Sequence, residues 1–286
     1  MEEPVNHHYV SECHLKEFFN AEDGKIYLFD KQLNNYYNRS GTKRIFSEKE
    51  LNTKLLGNSI DRQSMERELK VLFEDDFAKH LATVIHFHQS QQAIEKAYED
   101  MNYLALMALV GEYRNPAYKS GLDQIMDGIK KHLTGSDIPD PKLKYQNTKG
   151  YIEVAMHLLT DMDPMTFAVV SIQSADHFLL PDTSGFLARE HLAIGHVMQL
   201  GLPISDKLFL LGRSKRMGRY PTTLVTIDQD DSDLVFRVNS DLANYAYKTI
   251  ACKDKEFLKK TMHKMLQVNF KGQYFQNATI GKRYDE

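Results

Sequence analysis

The chain has 286 residues, of which 42% are apolar and 26% charged, with a formal net charge of −3 and two cysteines. This is the balance of a globular chain long enough to bury a sizeable core. It excludes a disulfide scaffold, a duplex-DNA binder that relies on an overall basic excess and, with no apolar run of about eighteen residues, a membrane-spanning helix.

In chain order, the first 58 residues read as short strands and turns. Asp23-Gly24 is a turn signal, and Lys25–Lys31 is a predicted strand with Ile26 and Leu28 on one face. Asn34-Asn35 marks a second turn, after which Tyr36–Arg39 pairs back as a hairpin. Ser40-Gly41 turns again before Lys43–Phe46. Ser47 followed by Glu50 has the capping-box pattern and predicts a helix start.

Residues 59–163 read as helical. Asp61 is a predicted N-cap, and Met65, Leu69, Leu72, Phe73, Phe77, Leu81, Val84 and Ile85 recur at three- and four-residue steps. Further helices are expected over Gln91–Glu112, Ala117–Leu133 and Thr148–Asp161. Asn115-Pro116 ends the first of these, because proline disfavours helical geometry in the residue before it. Thr134–Pro141 is a loop.

After Asp163-Pro164 the pattern changes to strands. Phe167–Ile172, Phe178–Leu180, Ile194–Leu200, Leu208–Leu211 and Leu224–Ile227 are predicted strands, followed by helices over Val238–Ile250 and Lys255–Leu266, with Asn239 or Ser240 near the first cap. The expected fold is α+β: an N-terminal hairpin region, a central helical layer, and a C-terminal mixed sheet with two terminal helices. Residues 1–286 are expected to form one continuous domain. The acidic start, Glu2-Glu3, and the absence of an apolar signal region predict a cytoplasmic protein.

Three histidines, His7, His8 and His14, fall within eight positions. His8 reads either as an acid–base group, since imidazole titrates near neutrality, or as an anchor hydrogen-bonded to a carbonyl. His7 and His14 read as surface or partly exposed residues. Arg114, at a helix C-terminus, is either a phosphate or carboxylate clamp or a cation favoured by the helix dipole. Asp182, at a strand end, is either a catalytic carboxylate or an Asx turn. Arg213-Ser214-Lys215-Arg216-Met217-Gly218-Arg219 reads as a solvated loop or as an anion contact through Arg213, Lys215 and Arg216. His86-Phe87-His88 and Glu190-His191 with His196 lack metal-site spacing. No Walker A, GxGxxG, GxSxG or CxxC sequence occurs, so neither a cofactor nor a metal is expected.

His8-Tyr9-Val10 resembles the N-terminal signature of the DUF4238 family. Glu66–Phe77 is similar to that family's long helix. Tyr113-Arg114-Asn115-Pro116 resembles its Arg-x-Pro, and Phe178–Thr183 its apolar strand ending in Asp. Leu202-Pro203-Ile204-Ser205 is similar to its Phe-Pro-Leu-Ser, and Val238–Ala246 to its late Asn and small-residue helix. Ser11, Glu12 and Lys16 stand where the family usually has Pro, Gln and Arg, and Asp182 lacks a following Pro. The resemblance implies a protein of the kind found among single-gene phage-defence systems. It joins Lys16 and Asn239 to His8, Arg114 and Asp182 as site residues. The expected function is a metal-independent, ribonuclease-like hydrolase acting on RNA or single-stranded nucleic acid, with no membrane partner. The alternative is a non-catalytic sensor that recognises a phage protein or an anionic ligand.

Overall fold

The computed structural model describes residues 6–56, 59–90, 94–135, 150–189, 196–214, 216, 223–227 and 232–268. Strand β1 (Asn6–His8) opens the chain, and α1 (Glu12–Lys16) follows, with the Ser11 hydroxyl accepting from the His14 N–H at 3.4 Å. The predicted hairpin forms from β2 (Ile26–Asp30) and β3 (Asn35–Arg39), its turn passing through Asn34 at φ 49°.

Ser47 does not start a helix. It begins β4 (Ser47–Lys49), which pairs antiparallel with β1 so that His8 lies opposite Ser47. The N-terminal strand needs backbone partners, and that tertiary pairing overrides a local cap signal. A short hairpin of β5 (Lys54–Leu56) and β6 (Ser59–Asp61) precedes the helices.

The cap residue of the next helix is Gln63 and not Asp61, but the Asp61 carboxylate, two residues earlier, accepts the N–H groups of Gln63 and Ser64 at 3.0 Å each. Helix α2 (Ser64–Leu69) then passes through a π-type turn (Lys70–Glu74) before α3 (Phe77–Ser90). The buried run Met65, Leu69, Phe73, Phe77 and Leu81 explains the π turn. Its strict four-residue step would drift off the face of a helix of 3.6 residues per turn, and one wider turn restores the alignment. A 3-10 turn (Ile94–Ala97) leads to α4 (Tyr98–Arg114). Asn115 is extended at φ −61°, ψ 136°, and its side chain caps α5 (Pro116–Thr134) by accepting from the Ala117 N–H at 2.9 Å. Helix α5 ends on Gly135 in the left-handed region, φ 66°, and α6 (Gly150–Met162) completes the layer.

The remaining elements are β7 (Thr166–Ile172), β8 (Leu180–Pro181), β9 (Phe186–Arg189), β10 (Val197–Pro203), β11 (Leu208–Arg213), β12 (Thr223–Ile227), α7 (Ser232–Tyr245), β13 (Thr249–Cys252) and α8 (Lys255–Val268). They build two sheets, in the orders β12-β7-β11-β10-β9 and β3-β2-β13-β8. The first sheet is mixed, with β12 parallel to β7 and the other pairs antiparallel.

Period-two alternation sorts the residues of each sheet between two faces. In the first sheet, Phe167, Val169, Leu208 and Leu210 pack with α4 and α6, while Ile172 and Phe209 pack with Val235 and Leu242 of α7. In the second, Ile26, Leu28 and Ala251 pack with Val10, Leu15 and Phe18, and Phe29, Ile250 and Cys252 face α7 and α8. Both cysteines are free. The fold is α+β. Helix α7 begins six residues earlier than expected, which puts Asn239 in its middle. Among the described residues, no helix is long and apolar enough to cross a membrane.

Candidate functional site

The C-terminus of α4 sends three consecutive side chains to three parts of the molecule. Tyr113 accepts a hydrogen bond from Arg189 of β9. Asn115 donates through Nδ2 to the Asp182 carbonyl at 3.1 Å. Arg114 is 3% exposed and donates to the His8 carbonyl, while its guanidinium nitrogens lie 3.4 Å from Glu66 and 3.5 Å from Glu74. The stretch Tyr113–Pro116 therefore clasps the N-terminal strand, the helices and the sheets together. Gly111 permits the approach one turn earlier: a Cβ there would sit 2.1 Å from the Ser184 hydroxyl.

Asp182 is fully buried, and its carboxylate accepts three backbone N–H groups: Tyr247 at 2.7 Å, and Lys248 and Thr249 at 2.8 Å each. Burial raises its pKa to about 6, against the pull of these donors and of the Lys31 ammonium. At neutral pH it is an anion held in a nest of amides, anchoring the α7–β13 connection. Asn239 is also fully buried, accepting from the Leu179 N–H at 2.9 Å and donating to the His177 carbonyl at 2.8 Å. Both side chains bind main-chain groups, and the cap expected of Asn239 is replaced by a clamp on the chain entering β8.

Of the predicted group, His8 is the side chain that reaches solvent close to Arg114. It is 15% exposed, and its Nε2 lies 3.2 Å from the Thr42 carbonyl and 3.6 Å from Glu12. The carbonyl can only accept, so Nε2 carries the hydrogen and Nδ1 the lone pair in the neutral ring. Glu74 lies within electrostatic range of His8. Burial raises its carboxyl above the usual range; Arg114 lowers it, and Glu66 opposes that lowering.

The other two histidines of the segment are buried, contrary to expectation. His7 accepts from the Asn52 N–H at 2.8 Å through Nδ1 and donates to the Arg62 carbonyl at 2.9 Å through Nε2. Burial holds its pKa below 6.5, although Glu66 opposes the shift. His14 donates to the Pro203 carbonyl at 2.6 Å, and burial drives its pKa down to about 4. Each satisfies backbone groups where the N-terminal segment enters the body.

Lys16 is exposed on α1. Arg213 ends β11, opposite Thr166 and Gln199, and Arg216 pairs with Asp161 at 2.9 Å. These three lie on other elements than His8 and Arg114, and Lys215 lies outside the described residues. Sequence reasoning missed Glu66 and Glu74, eight residues apart on the helical run that begins at Met65. Their signal is position: each follows a buried apolar residue, Met65 and Phe73, and so lies at the edge of the buried face. It also missed a second oriented imidazole. His177 Nδ1 lies 2.9 Å from Asp206, which Lys253 meets at 3.3 Å. Burial raises the Asp206 carboxyl, but His177 and Lys253 outweigh it and hold the pKa below the usual range. Among the described residues, no three His, Cys, Asp or Glu side chains gather as a metal-holding group.

The model of the family described as "Protein of unknown function (DUF4238)" matches residues 6–256, and the chain belongs to that family. The matched span begins on β1 and contains the clasp, the Asp182 anchor and His8. No curated protein and no solved structure matches the chain.

Proposed function

We propose that the chain is a metal-independent nuclease of phage defence, cleaving RNA or single-stranded nucleic acid at an edge formed by His8 and Glu74. The observation that carries this reading is the placement of a part-exposed imidazole in electrostatic range of a part-exposed carboxyl of raised pKa, with a fixed guanidinium behind both. Such a pair can take a proton from an attacking hydroxyl and return one to the leaving oxygen, the two halves of general acid–base cleavage. Arg114 positions Glu74 and holds the His8 backbone. Its burial makes it a positioning residue rather than a phosphate clamp. Phage defence as the setting rests on the family resemblance.

One observation favours a second reading, a non-catalytic sensor of a phage component. Arg114 and Asp182 direct their charges at internal partners, and Glu12 beside the His8 ring and Glu74 within its electrostatic range are carboxylates that repel a polyanion.

The two readings separate on incubating the protein with total RNA, single-stranded DNA and duplex DNA, with and without chelator. The nuclease reading expects chelator-resistant cleavage of RNA or single-stranded DNA. It expects His8→Gln and Glu74→Gln each to lower the rate by about 10²–10⁴-fold, the usual contribution of a proton-transfer group, at unchanged melting temperature. Intact substrates in every lane, or full activity in both variants, would refute it.

A further inference from the structure

The charge around the His8 ring is divided by element. The carboxylates come from the helices, Glu12 on α1 and Glu74 on the π turn. The segment that pairs with the His8 main chain is basic. Residues 39–49, from the end of β3 to the end of β4, carry Arg39, Lys43, Arg44 and Lys49 against one carboxylate, Glu48. All four cations are exposed, and among the described residues Lys43, Arg44 and Lys49 enter no ion pair.

This segment is fastened to the His8 neighbourhood at three points. Ser47 lies opposite His8 in the strand pair, the Thr42 carbonyl meets the His8 ring at 3.2 Å, and the Tyr9 N–H donates to the Phe46 carbonyl at 2.8 Å. Arg44 at φ 71° and Phe46 at φ 46° are both left-handed, a conformation that costs a non-glycine residue about 1–3 kcal/mol. The loop so formed buries Ile45 and Phe46 and leaves Lys43 and Arg44 in solvent.

Aromatic rings continue the surface. The Tyr9 ring lies against Phe46, with centroids 6.1 Å apart, and Tyr37 and Tyr247 lie within electrostatic range of the Tyr9 hydroxyl. Tyr247 is 37% exposed, and the Arg39 guanidinium sits over the Tyr37 ring, 4.9 Å from its centroid. A guanidinium stacked in this way keeps N–H donors for a phosphate. Cations that track a backbone, set among rings on which bases can stack, are the two parts of a surface for single strands. A duplex keeps its bases stacked on one another and offers them to no ring. The net charge of −3 does not oppose this, because exposed charges more than about 10 Å away are screened at 0.1 M salt.

We propose that residues 39–49, with Tyr9, Tyr37 and Tyr247, form the binding track of a single-stranded nucleic acid, whose phosphates the cations hold and one of whose bases stacks on Tyr247, and that the track leads the strand past His8. The identity of the ligand rests on the nuclease reading; the track rests on the charge and the rings.

Binding is read by fluorescence anisotropy of labelled oligouridylate, oligothymidylate and a duplex, over a salt series, on the full chain in chelator and on its His8→Gln variant. Both single strands should bind, and the duplex more weakly. The logarithm of the affinity should fall against the logarithm of salt concentration by about 0.7 for each phosphate neutralised. The double variant Lys43→Gln, Arg44→Asn should therefore reduce that slope by about 1.4, with asparagine accepting the left-handed backbone. Tyr247→Ala should weaken binding about 10-fold, and Tyr247→Phe should not, because the ring and not the hydroxyl stacks. These side chains are exposed, so the melting temperature should not move. No binding at low salt, an unchanged slope in the double variant, an unchanged affinity in Tyr247→Ala, or equal affinity for the duplex or for inorganic polyphosphate overturns the track. Cleavage accompanied by any of these leaves the nuclease reading standing without the track. Binding of the expected pattern with no cleavage upholds the track and refutes the nuclease reading.

Discussion

Asp182 and His8 were both expected in one site, and they are tied to neighbouring residues of one clasp, Asn115 and Arg114. Their surroundings differ. The carboxylate of Asp182 accepts three backbone amides of one short stretch, Tyr247 to Thr249. His8 is held by its backbone, through Arg114 and the strand pairing with Ser47, while its ring stays at the edge. The Asp182 charge is spent on buried amides, whereas the His8 ring keeps a partly exposed edge beside its bond to the Thr42 carbonyl.

The largest effect expected from this contrast is at Asp182. Asp182→Ala leaves three backbone N–H groups without their acceptor in a dry setting. At about 1–3 kcal/mol for each orphaned group, partly relieved by local relaxation, the loss should reach about 4–5 kcal/mol in urea unfolding. A loss under about 1 kcal/mol would mean that the amides find water, and the anchor would lose its place in the comparison. Arg114→Met comes next. It keeps the aliphatic stem but frees Glu66 and Glu74 from their cation and the His8 carbonyl from its donor, an expected cost of about 3 kcal/mol. Arg114→Lys should recover little, because one ammonium cannot reach all three acceptors from a planar fork.

The buried histidines give a pH test of the same contrast. His14 has a folded pKa of about 4, below its ordinary 6.5. Between those values the unfolded chain binds a proton that the folded chain refuses, so stability is lost as pH falls from 6.5 towards 4 and is fully present above 6.5. By pH 4 the loss from this group is about 3 kcal/mol, from the shift of the pKa at 1.36 kcal/mol per unit. Asp182 acts with the opposite sign, its folded pKa of about 6 lying above 3.8; its contribution falls as pH rises through that window. The measurement is therefore the difference in unfolding free energy between wild type and His14→Gln at pH 7 and pH 4, in which Asp182 cancels. An unchanged difference would place the His14 ring in contact with water.

Much of the fold is legible because its cues are local. Asn34 in the hairpin turn, Asp61 before α2, Asn115-Pro116 between α4 and α5, and the alternation of Phe167, Val169 and Ile172 in β7 each act within a few residues. The misreadings come from long range. Ser47 looks like a cap until β1, about forty residues earlier, takes it as a strand partner. His14 looks exposed until Pro203 supplies its acceptor from 189 residues away. The partners of Arg114 depend on a π turn that rotates Glu74 relative to Glu66, which residue spacing alone does not express. Family order points to Arg114, Asp182 and Asn239, and the structure gives each a set of buried contacts with main-chain groups or paired carboxylates.

The smallest stability effect is expected at His8, and it is the sharpest form of the contrast. The contacts that seat this residue run through its main chain: the carbonyl to Arg114 and the strand ladder to Ser47. Its ring contributes one hydrogen bond, to the Thr42 carbonyl at 3.2 Å, and a pairing with half-exposed Glu12. Glutamine can reproduce the bond, and a surface pairing contributes about 0–1 kcal/mol. His8→Gln should therefore shift unfolding by less than about 1 kcal/mol. If it costs as much as Asp182→Ala, the ring is an anchor like Asp182, and the proposed acid–base edge loses its central group. A fold left intact beside a lost cleavage activity separates the two kinds of residue, because truncating an anchor changes stability first and activity only through it.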